Sequence, residues 1–284
     1  MTVLHPVQLS AGLYLVATPI GNLRDMTIRA IETLSQVDII LCEDTRMTGK
    51  LLQAHGIRGK LDIYNDHTAD RIRSRVLDML AEGKRIALVS DAGMPLISDP
   101  GYKLVRDAQD LGLNVTTVPG ANAALAALQL SGLPTDKFCF LGFLPPKEKA
   151  RRDSLREWAD VKGTLVVYET APRLIDSLKD MALVLGDRPA AVVREITKMY
   201  EETRRGNLSA LAAHYEGAGE PKGEIVVVIG PPEEKAFSDD DIGTLLHQAF
   251  ENMSVKDAAA QVAERTGVAK KKVYELALKA REER

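Results

Sequence analysis

The sequence predicts an α/β protein: a parallel-sheet N-terminal α/β domain, a second α/β domain with a mixed sheet, and a small C-terminal helical domain of helix-turn-helix type. Three observations carry this. Apolar runs of strand length alternate with longer segments of helical period, the alternation loosens after Gly120, and beyond Pro231-Pro232 the period is helical throughout. The expected domains are 1–123, 124–232 and 233–284. A chain of 284 residues with 45% hydrophobic and 27% charged residues can bury cores of ordinary size, and no segment is biased enough to read as linker or low complexity.

In the first part, strands are expected at 13–17, 38–42, 61–64, 85–89 and 115–118, with helices between them at 26–36, 45–55, 69–82 and 101–111. The last of these helices is expected to start at Ser98-Asp99-Pro100-Gly101, with a capping side chain ahead of a proline in the first turn. The uncharged stretch 111–135 is long enough for a bilayer, but Pro119-Gly120, Asn122, Gln129 and Pro134 divide it into strand, turn and helix. Further strands are expected at 138–143, 164–169, 190–195 and 224–229. In the tail, Ile242, Leu245, Leu246, Ala249 and Phe250 share a helix face, as do Val255, Ala258, Ala259 and Val262, and then Val273, Leu276, Ala277 and Ala280. Ser238 with Asp241 and Ser254 with Asp257 resemble capping boxes, and Thr266-Gly267-Val268 makes the turn between the last two helices.

The net charge of −3 argues against a protein that coats nucleic acid, yet charge is uneven. Segment 145–156 carries Lys147, Lys149, Arg151, Arg152 and Arg156 against Glu148 and Asp153, and segment 265–281 carries six basic residues against Glu275. Each suits either a solvated helix face or a nucleic-acid contact. The two cysteines and five histidines show neither disulfide nor metal-ligand spacing, so no structural metal is expected. Residues 1–12 lack a basic stretch followed by an apolar one, so the cytoplasm is the expected location.

Candidate chemistry gathers at strand ends. The first strand runs into Thr18-Pro19-Ile20-Gly21-Asn22, the second into Glu43-Asp44-Thr45-Arg46, the fourth into Ser90-Asp91-Ala92-Gly93-Met94-Pro95, and the fifth into Pro119-Gly120-Ala121-Asn122-Ala123. In a parallel sheet the carboxyl ends of the strands share one rim, where ligands bind. The first loop has neither the three-glycine dinucleotide fingerprint nor a Gly-Lys-Ser/Thr P-loop, so nucleotide phosphates are poorly served. Asp44 and Asp91 suit ribose hydroxyls or an ammonium, and equally suit helix capping.

The run LYLVATPIGNLRD, then CEDTR, LVSDAGMPLISDPG, VPGANAAL, VYETAPRL, REITKMYEE and GEIVVVIG resembles the tetrapyrrole methylase superfamily, in its ribosomal RNA small subunit methyltransferase I branch. The blocks span about 13–229, and the terminal helices resemble the helix-turn-helix domain appended in that branch. The resemblance implies S-adenosyl-L-methionine as methyl donor, a cytidine ribose 2′-hydroxyl of small-subunit (16S) ribosomal RNA, alone or in a 30S particle, as acceptor, and a homodimer. By position within the matching motifs it implies donor contacts at Pro19, Asp91, Met94, Pro95, Asn122, Ala123, Thr170 and Ala171, with 222–224 as further candidates. Porphyrinoid-modifying members carry a Gly-Pro-Gly-rich first loop where this chain has Thr-Pro-Ile-Gly-Asn, which argues against a tetrapyrrole acceptor.

A ribose hydroxyl needs a group to take its proton. Glu43, Asp44, Asp66, His67 and Glu195 are the candidates, Asp44 beside Arg46 the first among them, each with an alternative in capping or ion pairing. Arg46, the 147–156 segment and Lys270, Lys271 and Lys272 are candidate phosphate contacts. Two other readings remain: a porphyrinoid or other small-molecule methyltransferase, for which the basic helical tail is superfluous, and a ligand-sensing DNA-binding regulator, for which the last helix offers few base-reading side chains.

Overall fold

Short apolar strands buried on both faces build the first sheet. Strands β1 (Gly12–Val16), β2 (Ile39–Cys42), β3 (Leu61–Ile63), β4 (Arg85–Leu88) and β5 (Val115–Val118) pair in parallel, in the order β3-β2-β4-β1-β5. Tyr14, Val16, Ile40, Cys42 and Ala87 face one way, against helices α1 (Ile28–Gln36) and α2 (Thr45–Ala54). Leu13, Leu41, Ile86 and Leu88 face the other, against α3 (Ala69–Ala81) and α4 (Tyr102–Asp110). The path from β1 to β3 thus runs over one face, and the path from β3 to β5 returns over the other, as right-handed crossovers require. The loops leaving β1 and β4 diverge at this reversal, which opens a crevice beyond the carboxyl ends of the sheet.

This computed structural model describes residues 8–65, 68–233, 238–250 and 253–282. It divides into two compact units, one ending at Pro232 and the other beginning at Glu233. Both sheets lie in the first unit.

After β5, α5 (Ala123–Ser131) leads to the second sheet: β6 (Phe138–Phe143), β7 (Thr164–Thr170), β8 (Pro189–Arg194), β9 (Glu202–Asn207) and β10 (Glu224–Ile229), ordered β6-β7-β10-β8-β9. Only β6 and β7 run parallel, so the sheet is mixed. Helices α6 (Glu148–Arg156), α7 (Leu174–Leu185) and α8 (Leu208–Ala218) cover one face, packing Leu155, Leu174, Leu178, Met181 and Leu211 on Leu165, Val167, Val192 and Val227. The opposite face is covered by α5. Its Ala124 and Ala127 pack with Val166, Ala191, Val193 and Val226, and Ile20 of the β1 loop joins the same cluster, so the first sheet's rim is seated on the second sheet.

The second unit contains α9 (Asp239–Ala249), α10 (Val255–Thr266) and α11 (Lys270–Glu282), closed around Ile242, Leu246, Ala258, Ala259, Val262, Val273 and Ala277. Ser238 and Asp241 form a reciprocal capping box, Ser254 accepts from Asp257 N, and Gly267 ends α10 in the left-handed conformation at φ 70°. No helix among the described residues is long and apolar enough to cross a membrane.

Three expectations need correction. The polar run Glu202–Asn207 is a strand, at the edge of the sheet, where one-sided pairing with β8 does not demand apolar alternation. The Ser98-Asp99-Pro100 cap does not form: α4 starts at Tyr102 behind Gly101 at φ 133° with no side-chain cap, while Leu96 and Ser98 take left-handed φ of 72° and 68°. The 145–156 segment is less available than its charge suggests. Arg151 is buried, and both it and Arg152 donate to buried Asp180 at 2.6 Å, while Arg156 pairs with Asp153.

The Asp180 carboxylate pairs with two guanidiniums between α6 and α7, of which Arg152 also has Glu148, so its removal leaves buried Arg151 without a carboxylate partner. Asp180→Ala is expected to lower unfolding stability by about 3–5 kcal/mol, read by chemical denaturation, with the second unit's helices unaffected.

Candidate functional site

A cavity of about 480 Å³ opens where the carboxyl rim of the first sheet meets the ends of β6, β7 and β10. Ile20 comes from the β1 loop, Ala92, Gly93 and Met94 from the β4 loop, and Asn122 and Ala123 from the start of α5. The second sheet contributes Phe143, Tyr168, Glu169 and Thr170, followed by Ala171 and Pro172, with Ile196 and 223–226 completing the wall.

Short loops are tied to hold this shape. Thr18 and Gly93 exchange backbone hydrogen bonds at 2.8 and 3.1 Å, and the Thr18 hydroxyl donates to Ser90 O at 3.1 Å. Gly93, at φ 80°, takes a conformation that side chains disfavour, and even a β-carbon there would sit 3.3 Å from Ile20. The Asn122 side chain accepts from Leu125 N at 2.9 Å, capping α5 and fixing the helix N-terminus at the cavity wall.

A bulge between Phe140 and Gly142 shifts the register of β6 so that Phe143 lies opposite Tyr168. The two rings meet edge to face at 5.5 Å, and Phe140 meets Tyr168 at 4.8 Å. Burial raises the Tyr168 phenol pKa, keeping it neutral. Glu169 is buried at the base, where it accepts from Thr170 N at 2.8 Å, pairs with Arg173 at 3.3 Å and bonds the Ser177 hydroxyl. Its charge serves the wall and leaves the cavity largely apolar.

Of the residues singled out from the motifs, Met94, Asn122, Ala123, Thr170, Ala171, Gly223 and Glu224 line the cavity. Pro19 and Pro95 are buried beside it, within the loops that shape it. Asp91 is exposed one residue before the lining, its carboxylate accepting from Asp44 N at 3.3 Å and bridging the ends of β4 and β2. Lys222 is exposed, and its carbonyl accepts from Arg194 at 3.3 Å. Asp99, Phe143, Tyr168 and Glu169 also line it but were not singled out as donor contacts. Tyr168 and Glu169 fall in the expected strand 164–169, just ahead of Thr170 and Ala171, but the strand pattern alone does not say which of its ends borders a cavity.

The expected proton acceptors fare differently. Asp44 is the N-cap of α2, accepting from Arg46 N at 2.8 Å, and its carboxylate receives Arg46 Nε at 3.2 Å and an Arg46 terminal nitrogen at 2.8 Å. The Arg46 side chain, then its backbone N–H, hold the Asp44 pKa down to about 2. So weak a base is poorly matched to a hydroxyl near neutral pH. Glu43 is half-buried beside it, Glu195 lies in the loop after β8, and Asp66 and His67 fall outside the described residues.

Residues 12–212 match the family model of the tetrapyrrole (corrin/porphyrin) methylases, and residues 236–281 match that of the RsmI C-terminal HTH domain. Solved structures agree in fold. A uroporphyrin-III C-methyltransferase from Thermus thermophilus complexed with S-adenyl homocysteine superposes with a TM-score of 0.55 at 23% identity, covering 77% of this chain and 97% of that one. A diphthine synthase superposes with a TM-score of 0.58 at 13% identity, covering 77% and 89%. The family model, matched over most of the chain and in keeping with the fold and its cavity, defines a methyltransferase of the tetrapyrrole methylase class.

Relatives narrow the class. Proteins named ribosomal RNA small subunit methyltransferase I are 54% identical in Erythrobacter litoralis, covering 95% of both chains, and 48% in Mesorhizobium japonicum, covering 94% of this chain and 91% of that one. The chain belongs to the ribosomal RNA small subunit methyltransferase I family.

Because the Asp44 pKa lies below its ordinary 3.8, the contribution of its pair with Arg46 is present above the ordinary value and is lost as pH falls through about 2. Carboxyl carbon NMR is expected to show Asp44 titrating near pH 2, and Arg46→Ala should return it toward the ordinary carboxylate range.

Proposed function

We infer that this protein transfers the methyl group of S-adenosyl-L-methionine to the 2′-hydroxyl of a cytidine ribose in small-subunit (16S) ribosomal RNA. The observation that carries the reading is the mainly apolar cavity between the two sheets, in a chain whose relatives bear that methyltransferase name over nearly their whole length.

The cavity suits the donor. An adenosyl group needs a concave apolar slot with a few convergent polar groups, and Met94, Asn122, Ala123, Thr170 and Ala171 offer small apolar surface with backbone donors and acceptors. Lysine and arginine side chains are missing from the described lining, which favours a cationic sulfonium over a pyrophosphate. When bound, the donor supplies an electrophilic methyl on that sulfonium. Pro19, Pro95 and Asp91 shape the slot through the loops that contain them, and in-line positioning is then the main task of the protein.

The acceptor is a polyanion. Arg46, with 86% of its side chain exposed and its guanidinium oriented by Asp44, serves as a phosphate contact at the rim, and Glu43 stands beside it. Lys147 and Lys149, exposed and without an ion pair among the described residues, take the role first read for the whole basic segment. In the helical unit Lys270 and Lys271 are exposed, while Lys272 pairs with Asp239 at 2.7 Å. These helices form an RNA-binding domain, with 1–123 and 124–232 as the two catalytic domains. A 30S particle as natural substrate, a homodimer and a cytoplasmic location complete the reading.

Labelled donor incubated with unmethylated small subunits, naked ribosomal RNA or a porphyrinoid tests it. Label is expected in RNA, on a cytidine whose ribose resists base hydrolysis, and label in the porphyrinoid alone overturns it. Ala123→Phe is expected to fill the cavity and weaken donor affinity at least about tenfold by calorimetry. Replacing Lys270, Lys271 and Lys272 together by alanine should weaken RNA binding and reduce its salt slope by about one unit per lost phosphate contact.

A further inference from the structure

Lys198 reaches the rim of the cavity from the loop between β8 and β9. Its Nζ donates to Glu195 Oε1 at 2.9 Å and to Glu224 Oε2 at 3.0 Å, and the neighbouring Ile196, Gly223 and Glu224 all line the cavity. An ammonium has three donors. Among the described residues, the third N–H of Lys198 and Oε1 of Glu224 make no hydrogen bond, and the Glu224 side chain is 71% exposed.

The surrounding backbone is bent to hold this arrangement. Glu195 and Thr197 take left-handed φ of 51° and 68°, a conformation that persists only where neighbours impose it. Glu195 and Glu224 are joined three ways: Glu195 N donates to Glu224 O at 3.0 Å, Glu224 N donates to Glu195 Oε1 at 3.1 Å, and Lys198 bridges the carboxylates. A β-carbon on Gly21 would lie 2.5 Å from Lys198 Cγ, so the lysine stem passes directly over the β1 loop. A β-carbon on Gly223 would overlap the Glu195 carboxylate. Burial opposes the charge on Lys198, but the bonds to Glu195 and Glu224 outweigh it and raise its pKa, so the ammonium stays charged.

Two carboxylates against one ammonium leave the cluster net negative, which disfavours a phosphate. One open N–H beside one open carboxylate oxygen matches a hydroxyl, which accepts and donates through the same atom. We propose that Lys198 and Glu224 form the subsite for the acceptor hydroxyl, with Lys198 donating to its oxygen and Glu224 Oε1 receiving its proton. This rests on the ribose methylation reading above. In the step, the acceptor oxygen forms its bond to the methyl carbon, the methyl–sulfur bond breaks with its electron pair remaining on sulfur, and the hydroxyl proton passes to Glu224, which later releases it to water. Glu195 is a positioning residue that fixes the Lys198 ammonium.

Single-turnover methylation of unmethylated small subunits at saturating donor tests the assignment. Glu224→Gln is expected to lower the rate about 100-fold or more, with donor affinity by calorimetry within about twofold of wild type. Lys198→Met gives an independent reading, with a comparable loss that Lys198→Arg partly restores. An E224Q rate within about threefold of wild type overturns the subsite while leaving ribose methylation standing. E224Q that loses donor affinity in step with rate also overturns it, by placing Glu224 on the donor. Wild-type protein that methylates no ribosomal RNA overturns the functional reading, and the subsite with it.

Discussion

The reciprocal backbone hydrogen bonds between Thr18 and Gly93 are the constraint on which the site depends. They tie together the two loops that diverge where the strand order reverses, and so turn a general property of parallel sheets into one particular concavity. Ile20, carried by the first of these loops, packs into the apolar cluster between α5 and the second sheet. A small rearrangement at Gly93 would therefore be felt in the cavity wall and in the seating of one sheet on the other. Gly93 has buried, positive-φ backbone for this reason, and a substituent there would press on Ile20.

Charge is distributed with a similar economy. Several acidic groups near the cavity are engaged in holding the fold: Asp44 caps α2 and orients Arg46, Asp91 bridges two strand ends, and Glu169 is buried against Arg173 and Ser177. Asp180 similarly absorbs two arginines of the basic segment. What remains open is a mostly apolar slot with the Glu195, Lys198 and Glu224 cluster at one edge. That separation matches the needs of a cationic donor and a neutral hydroxyl meeting in one place.

Motif position and side-chain function part company here. The block containing Asp44 stands at a strand end, as ligand-binding carboxylates do, but the same spacing lets the carboxylate cap its own helix and reach the arginine two residues on. A linear reading cannot rank those uses, because they differ only in where the Arg46 side chain lies. Lys198 shows the opposite case. In sequence it is one charged residue among several, and only the passage of its stem over Gly21, more than 170 positions away in the chain, places it at the cavity.

The sequence by itself determined the alternation of strands and helices, the family, the reversal from ordered βα units to a mixed sheet, and the three amphipathic helices of the tail, because each is written in local periodicity, turn chemistry or contiguous motif blocks. Tertiary structure alone decided the order of strands, the edge position of polar β9, the internal pairing of Arg151 and Arg152 with Asp180, and which strand-end residues reach the cavity. These depend on contacts between segments far apart in the chain, and on the competition of each polar group among several partners, which spacing along one strand does not encode.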